Sequence, residues 1–128
     1  MSDDPVIAKL RRYGLPEEFI GWAGSQGIDR VRRMLEIRIA EQLSGSSRVS
    51  QLEQVTQSMI DDLDAEYFRL EAIGQLDQSK DFFRQARLMQ AMLFLRTDEV
   101  EEALYEYYHA KDAEQAKHLI DDLMSASI

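Results

Sequence analysis

SKDFFRQARLMQAMLFLR, residues 79–96, is the stretch that decides the fold class. Its second half carries Leu88, Met89, Ala91, Met92, Leu93, Phe94 and Leu95, so a helix drawn through it is apolar around most of its circumference. A helix of that kind needs neighbours on several sides. Apolar residues here and along the rest of the chain recur at intervals of three and four, not in alternation, so those neighbours are expected to be helices and no sheet is foreseen.

Working outward toward the N-terminus, Gly74 closes a helix expected to run from Ser50 to Ile73, opened by a capping box of Ser50 and Glu53. Leu52, Val55, Met59, Leu63, Tyr67, Leu70 and Ile73 form its stripe, and its length suggests the spine of the molecule. Farther upstream, Asp4 and Pro5 start a short helix that stops near Gly14. Pro16, Glu17 and Glu18 start a second, and Asp29 caps a third, with Val31, Leu35, Ile39 and Leu43 along one face. Ser44-Gly45-Ser46-Ser47 reads as a loop.

Toward the C-terminus, Thr97 is expected to cap a helix with Val100, Ala103, Leu104 and Tyr107 inward. Asp112 and Gln115 begin a last helix with Ala116, Leu119, Ile120, Leu123 and Met124 on its stripe. We therefore expect an all-α fold: a compact array of six to seven helices in antiparallel hairpins around a long central helix, without a sheet. Residues 1–128 form a single domain in this scheme, with short helices over 4–43, the long helix over 50–73 and helical hairpins over 79–126.

A 45% apolar fraction in 128 residues is enough for one core. The net charge of −9 is uneven: residues 1–48 hold eight basic and seven acidic groups, residues 49–128 seven basic and seventeen acidic. Such a surface repels phosphate backbones and anionic lipid, which argues against nucleic acid or membrane as the main partner and leaves basic protein surfaces open. Absence of cysteine excludes disulfides, thiolate metal sites and cysteine nucleophiles, and agrees with a cytoplasmic setting. No stretch is long and apolar enough to predict a membrane span.

Residues 84–115 resemble one tetratricopeptide unit, carried by Ala91, Phe94, Ala103, Tyr107 and Ala110. Arg87 and Gln90 stand where that pattern has Trp and Leu, Gln115 replaces its Pro, and no second copy is visible. The resemblance implies a helical hairpin whose first helix turns Gln85, Leu88, Met92 and Leu95 toward a groove for a segment of another protein. Packing of the same residues beneath the long helix is the structural alternative.

Catalytic material is sparse. Glu106 and His109 form Glu-x-x-His, the half-site of a helical-bundle di-iron protein, but a complete site needs a second pair, for instance from a homodimer, and bridging carboxylates such as Glu66 or Glu71. Neither histidine carries the following Lys and Gly of a phosphorelay module. Arg11, Arg12, Arg30, Arg32 and Arg33 form a candidate nucleic-acid patch diluted by neighbouring acids, and Trp22 is expected in the core. Glu101, Tyr105 and Tyr108 make an acidic and aromatic strip, with Tyr105 in excess of what one buried stripe uses. The expected function is that of a non-enzymatic adaptor, chaperone or regulatory subunit without cofactor, binding a basic or amphipathic protein segment through Gln85, Leu88, Met92, Leu95, Glu101, Tyr105 and Tyr108. A dimeric metal protein using Glu106 and His109 and a nucleic-acid regulator are the alternatives.

Overall fold

A computed structural model describes residues 5–44 and 55–126. Among these, eight helices occur and no strand: α1 (Pro5–Arg12), α2 (Glu17–Gln26), α3 (Ile28–Ser44), α4 (Gln57–Ala72), α5 (Leu76–Arg96), α6 (Val100–His109), α7 (Ala113–Ala116) and α8 (Leu119–Met124). None of them is long and apolar enough to cross a membrane. The expected caps at Asp4, Ser50 and Glu53 and the loop over Gly45–Ser47 lie outside the described residues.

The spine is α5, not the helix before it. Val55 and Thr56 precede α4 in non-helical backbone, and Thr56 Oγ1 accepts a hydrogen bond from the Met59 amide at 3.3 Å, so α4 covers 57–72. α5 has 21 residues and spans about 32 Å. It starts at Leu76, because Ser79 does not cap: its hydroxyl donates to the Leu76 carbonyl at 2.8 Å from inside the first turn. α4, α6 and α3 pack against α5, which covers the apolar circumference read from the sequence. α1 and α2 close over α6 and α3, and α8 rests on α3.

Thr97 also differs from expectation. Asp98 adopts φ +59, a left-handed conformation that reverses the chain, and the Glu99 and Asp98 amides return to the Phe94 and Leu95 carbonyls at 2.9 and 3.2 Å. Thr97 thus closes α5, and Glu99 flanks α6. Ile73, expected on the α4 stripe, falls in the turn after the helix and is 60% exposed. The last helix breaks at Lys117 and His118 into α7 and α8, although Asp112 does cap Gln115 at 2.8 Å.

One cluster of buried side chains joins Leu10, Phe19, Leu35, Ile39, Ile60, Met89, Leu104, Tyr107 and Leu123, drawn from α1 to α6 and α8; Trp22 packs at its margin, 5.6 Å from Phe19. Leu70 is buried but outside this cluster. The far end of the α4–α5 hairpin therefore extends past the shared core.

A polar knot pins α8. Asp122 accepts hydrogen bonds from Arg38 of α3 at 2.6 Å and from the fully buried Tyr107 hydroxyl of α6, and Lys111 stands 3.2 Å away. Gln42 donates to the same tyrosine at 3.3 Å. Burial pushes the Tyr107 phenol up, helped by Asp122. Burial alone would raise Asp122, but the bonds from Tyr107 and Arg38 and the Lys111 charge hold it below the ordinary carboxylate range.

Because its folded value is depressed, Asp122 contributes stability fully above about pH 4, the unfolded value, and loses it as pH falls through the lower folded value. Asp122→Asn is expected to cost about 2 kcal/mol at neutral pH in urea titrations. The gap between variant and wild type should narrow as the pH is lowered below 4; a pH-independent gap refutes the assignment.

Candidate functional site

The groove expected on α5 is filled. Leu88, Met92 and Leu95 are 2%, 6% and 2% exposed, and only Gln85 of that set reaches partly into solvent. α3 takes the face: Arg32 donates to the Leu95 carbonyl at 2.9 Å, and Gln42 stands beside Leu88 at the mouth of a polar cleft of about 670 Å³. These three residues are core, not a docking surface, and the packing alternative holds with α3 as cover in place of the long helix.

The strip on α6 is likewise partnered within the molecule. Tyr105 lies 5.1 Å from the Tyr13 ring of α1 and 4.3 Å from His109, and Tyr108 meets His109 edge-on at 5.5 Å. Glu101 is partly buried. Tyr105, Glu106 and His109 do share a cleft of about 610 Å³ with Tyr13, Arg12 and Glu102. Glu102 accepts from Lys9 and from Tyr13 through Oε1 while its buried Oε2 has no hydrogen-bond partner, and Glu106 accepts from Arg87 at 3.1 Å. Burial raises the Glu106 carboxyl above its ordinary value against the pull of Arg87.

Arg87 donates to one oxygen of Glu106, and Glu66 is tied to Arg69. Among the described residues no three His, Asp or Glu side chains converge as metal ligands. Of the five N-terminal arginines, Arg11 pairs with Glu17 at 2.7 Å and Arg32 with Asp98 at 3.1 Å.

Among the described residues, three of the four large apolar side chains most open to solvent lie on the α4–α5 hairpin, the fourth being Met124 of α8. Phe68 is 65% exposed, and Leu76, like Ile73, exceeds half exposure at the hairpin end. Phe68 belongs to a run of rings along one side: it lies 5.0 Å from Tyr67, which lies 5.2 Å from Phe83. Arg87 continues the run, 5.6 Å over the Phe83 ring, and is held there by Asp64 at 2.8 Å and by Glu106. Acids border the rings. Glu71 bonds the Tyr67 hydroxyl and, with burial and Asp64, raises that phenol.

Sequence reasoning missed this face, though a signal existed. Consecutive helical residues point about 100° apart, so the pairs Tyr67-Phe68 and Phe82-Phe83 cannot each serve one buried stripe. Phe82 joins Leu63 and Met89 at the inner side of the hairpin, Phe83 turns to Tyr67, and Phe68 is left outside.

No protein-family model, curated protein or solved structure matches this chain. The residues alone must carry the functional reading.

Core and surface positions separate under substitution. Leu88→Ala should lose about 2–4 kcal/mol in denaturant unfolding, through lost burial and a residual cavity. Phe68→Ser should stay within about 0.5 kcal/mol of wild type. Equal costs would show that Phe68 is buried in the native ensemble.

Proposed function

We propose that this protein is a non-enzymatic binding module that holds a segment of another protein on the outer face and tip of the α4–α5 hairpin. The observation that carries this reading is the grouping of Phe68, Ile73 and Leu76, each more than half exposed, at one end of one hairpin. Large apolar side chains left in water at one place mark contact surfaces, and aromatic residues are enriched at the centres of such contacts. Elsewhere among the described residues, Met124 is the large apolar side chain with comparable exposure.

Two further features agree with recognition. The rings are backed by a rigid support, since Arg87 is clamped between Asp64 and Glu106, so little conformational freedom is lost when a partner binds. The carboxylates Glu102 and Glu106 near the α1–α6 cleft take part in bonds that join α1 and α5 to α6, which suits a scaffold. Relative to the groove expected from the sequence, this proposal keeps the same kind of surface, apolar with an acidic rim, and moves it to the preceding hairpin. Adaptor, chaperone and regulatory roles all use such a face, and the cysteine-free composition accommodates work in a reducing cytoplasm.

Phe68→Ser combined with Leu76→Ser should leave circular dichroism and the melting curve unchanged and abolish capture of the proteins that wild type retains from native lysate, as identified by mass spectrometry. Retention of the same proteins by the double variant refutes the proposal.

A further inference from the structure

Resting on that binding reading, we infer that the occupant of the hairpin face is a cationic amphipathic helix of another protein, its apolar stripe against Phe68, Tyr67 and Phe83 and its Lys or Arg side chains against the bordering carboxylates. The shape comes first. Three rings in steps of 5.0 and 5.2 Å, with Leu76 and Ile73 at the hairpin end, make a narrow apolar track and not a broad sheet-like surface. A helix presents its apolar side chains as a stripe of matching width, at intervals of three and four residues.

Charge then selects the sign of the partner. Residues 61–84 carry seven acids, Asp61, Asp62, Asp64, Glu66, Glu71, Asp77 and Asp81, against three bases, Arg69, Lys80 and Arg84, a balance of −4. Two of those bases are taken by Glu66 and by Asp81 at 2.6 Å. Glu71 and Asp77 remain exposed. A second copy of this chain would set two such surfaces against each other, and nucleic acid or anionic lipid would be repelled in the same way. Lys and Arg on the partner relieve the imbalance.

The rings themselves favour a cation. Arg87 already stands 5.6 Å over Phe83, so a guanidinium is accommodated within the strip. Phe68, at the open end, offers the same kind of ring to a cation from outside.

The test uses the full chain and three labelled peptides of about 18 residues, or five helical turns: a Leu/Lys amphipathic helix, a Leu/Glu helix with the same apolar stripe, and a scramble of the Leu/Lys peptide. Fluorescence anisotropy should give a micromolar Kd for the Leu/Lys helix, with the other two at least about tenfold weaker, roughly 1.4 kcal/mol. Affinity should fall as salt rises, and Phe68→Ser should weaken it about tenfold. No binding of the Leu/Lys helix, equal binding of all three peptides, or indifference to Phe68→Ser overturns the inference. A wild-type dimer in sedimentation that Phe68→Ser dissolves also overturns it, while leaving the face an interface. Failure of the binding reading itself is the separate result given by the lysate comparison.

Discussion

A helix that is apolar on nearly every side has to be enclosed, and the placement of the other elements follows from enclosing α5. Burial of Leu88, Met92 and Leu95 alone removes three large side chains from water, each contributing on the order of 2 kcal/mol. No single neighbour can cover a circumference of that kind. α4 and α6 flank α5 as hairpin partners joined by tight turns, and α3, remote in sequence, takes the remaining face. Gly74 at φ +81 and Asp98 at φ +59 make both hairpin turns short, so the two flanking helices have little choice of position.

Recruiting α3 to that face has an electrostatic consequence. α3 brings arginines to helix surfaces that pack, and each of those charges finds an acceptor at once: Arg32 at the Leu95 carbonyl and Asp98, Arg38 at Asp122 and Glu41. Lys9, Tyr13 and Glu102 tie α1 to α6 in the same manner. Directional bonds of this type specify which helix lies where, a selectivity that apolar contact alone does not supply. They also draw in residues of clusters that look reactive in one dimension. Glu106 and His109 share a helix face, yet the carboxylate is spoken for by a guanidinium arriving from α5.

Much of the fold was legible. The three- and four-residue repeats of Val31, Leu35, Ile39 and Leu43 produced a helix with all four residues fully buried, and the apolar run before Thr97 produced the enclosed helix it implied. Boundaries that depend on one side chain's choice of partner were less legible. Ser79 and Thr97 have cap-forming chemistry, but both hydroxyls turn back to carbonyls of α5, and no local pattern separates the two options. The misassigned groove has a different origin: whether Leu88, Met92 and Leu95 meet a partner or their own chain depends on where α3 goes, which is a tertiary fact. Tyr105 was miscounted as surplus for the same reason, since its neighbour Tyr13 is 92 positions away in the chain.

The exposed rings can be understood from lengths. α5 is 21 residues long, while α6, its partner on the other side, has 10 and covers only the second half. The first half is left with α4 alone, and a two-helix layer has only one inner face. Tyr67, Phe68, Phe82 and Phe83 bring more aromatic area to that layer than one face can hold. Leu70 and Phe82 are turned inside, and Phe68 with Leu76 is displaced to the outside. A hairpin needing only its own stability would do as well with polar residues at those two positions, because their side chains add little burial to the folded state. A stabilising role does not account for large apolar groups there; a contact made from outside this core, as proposed above, would.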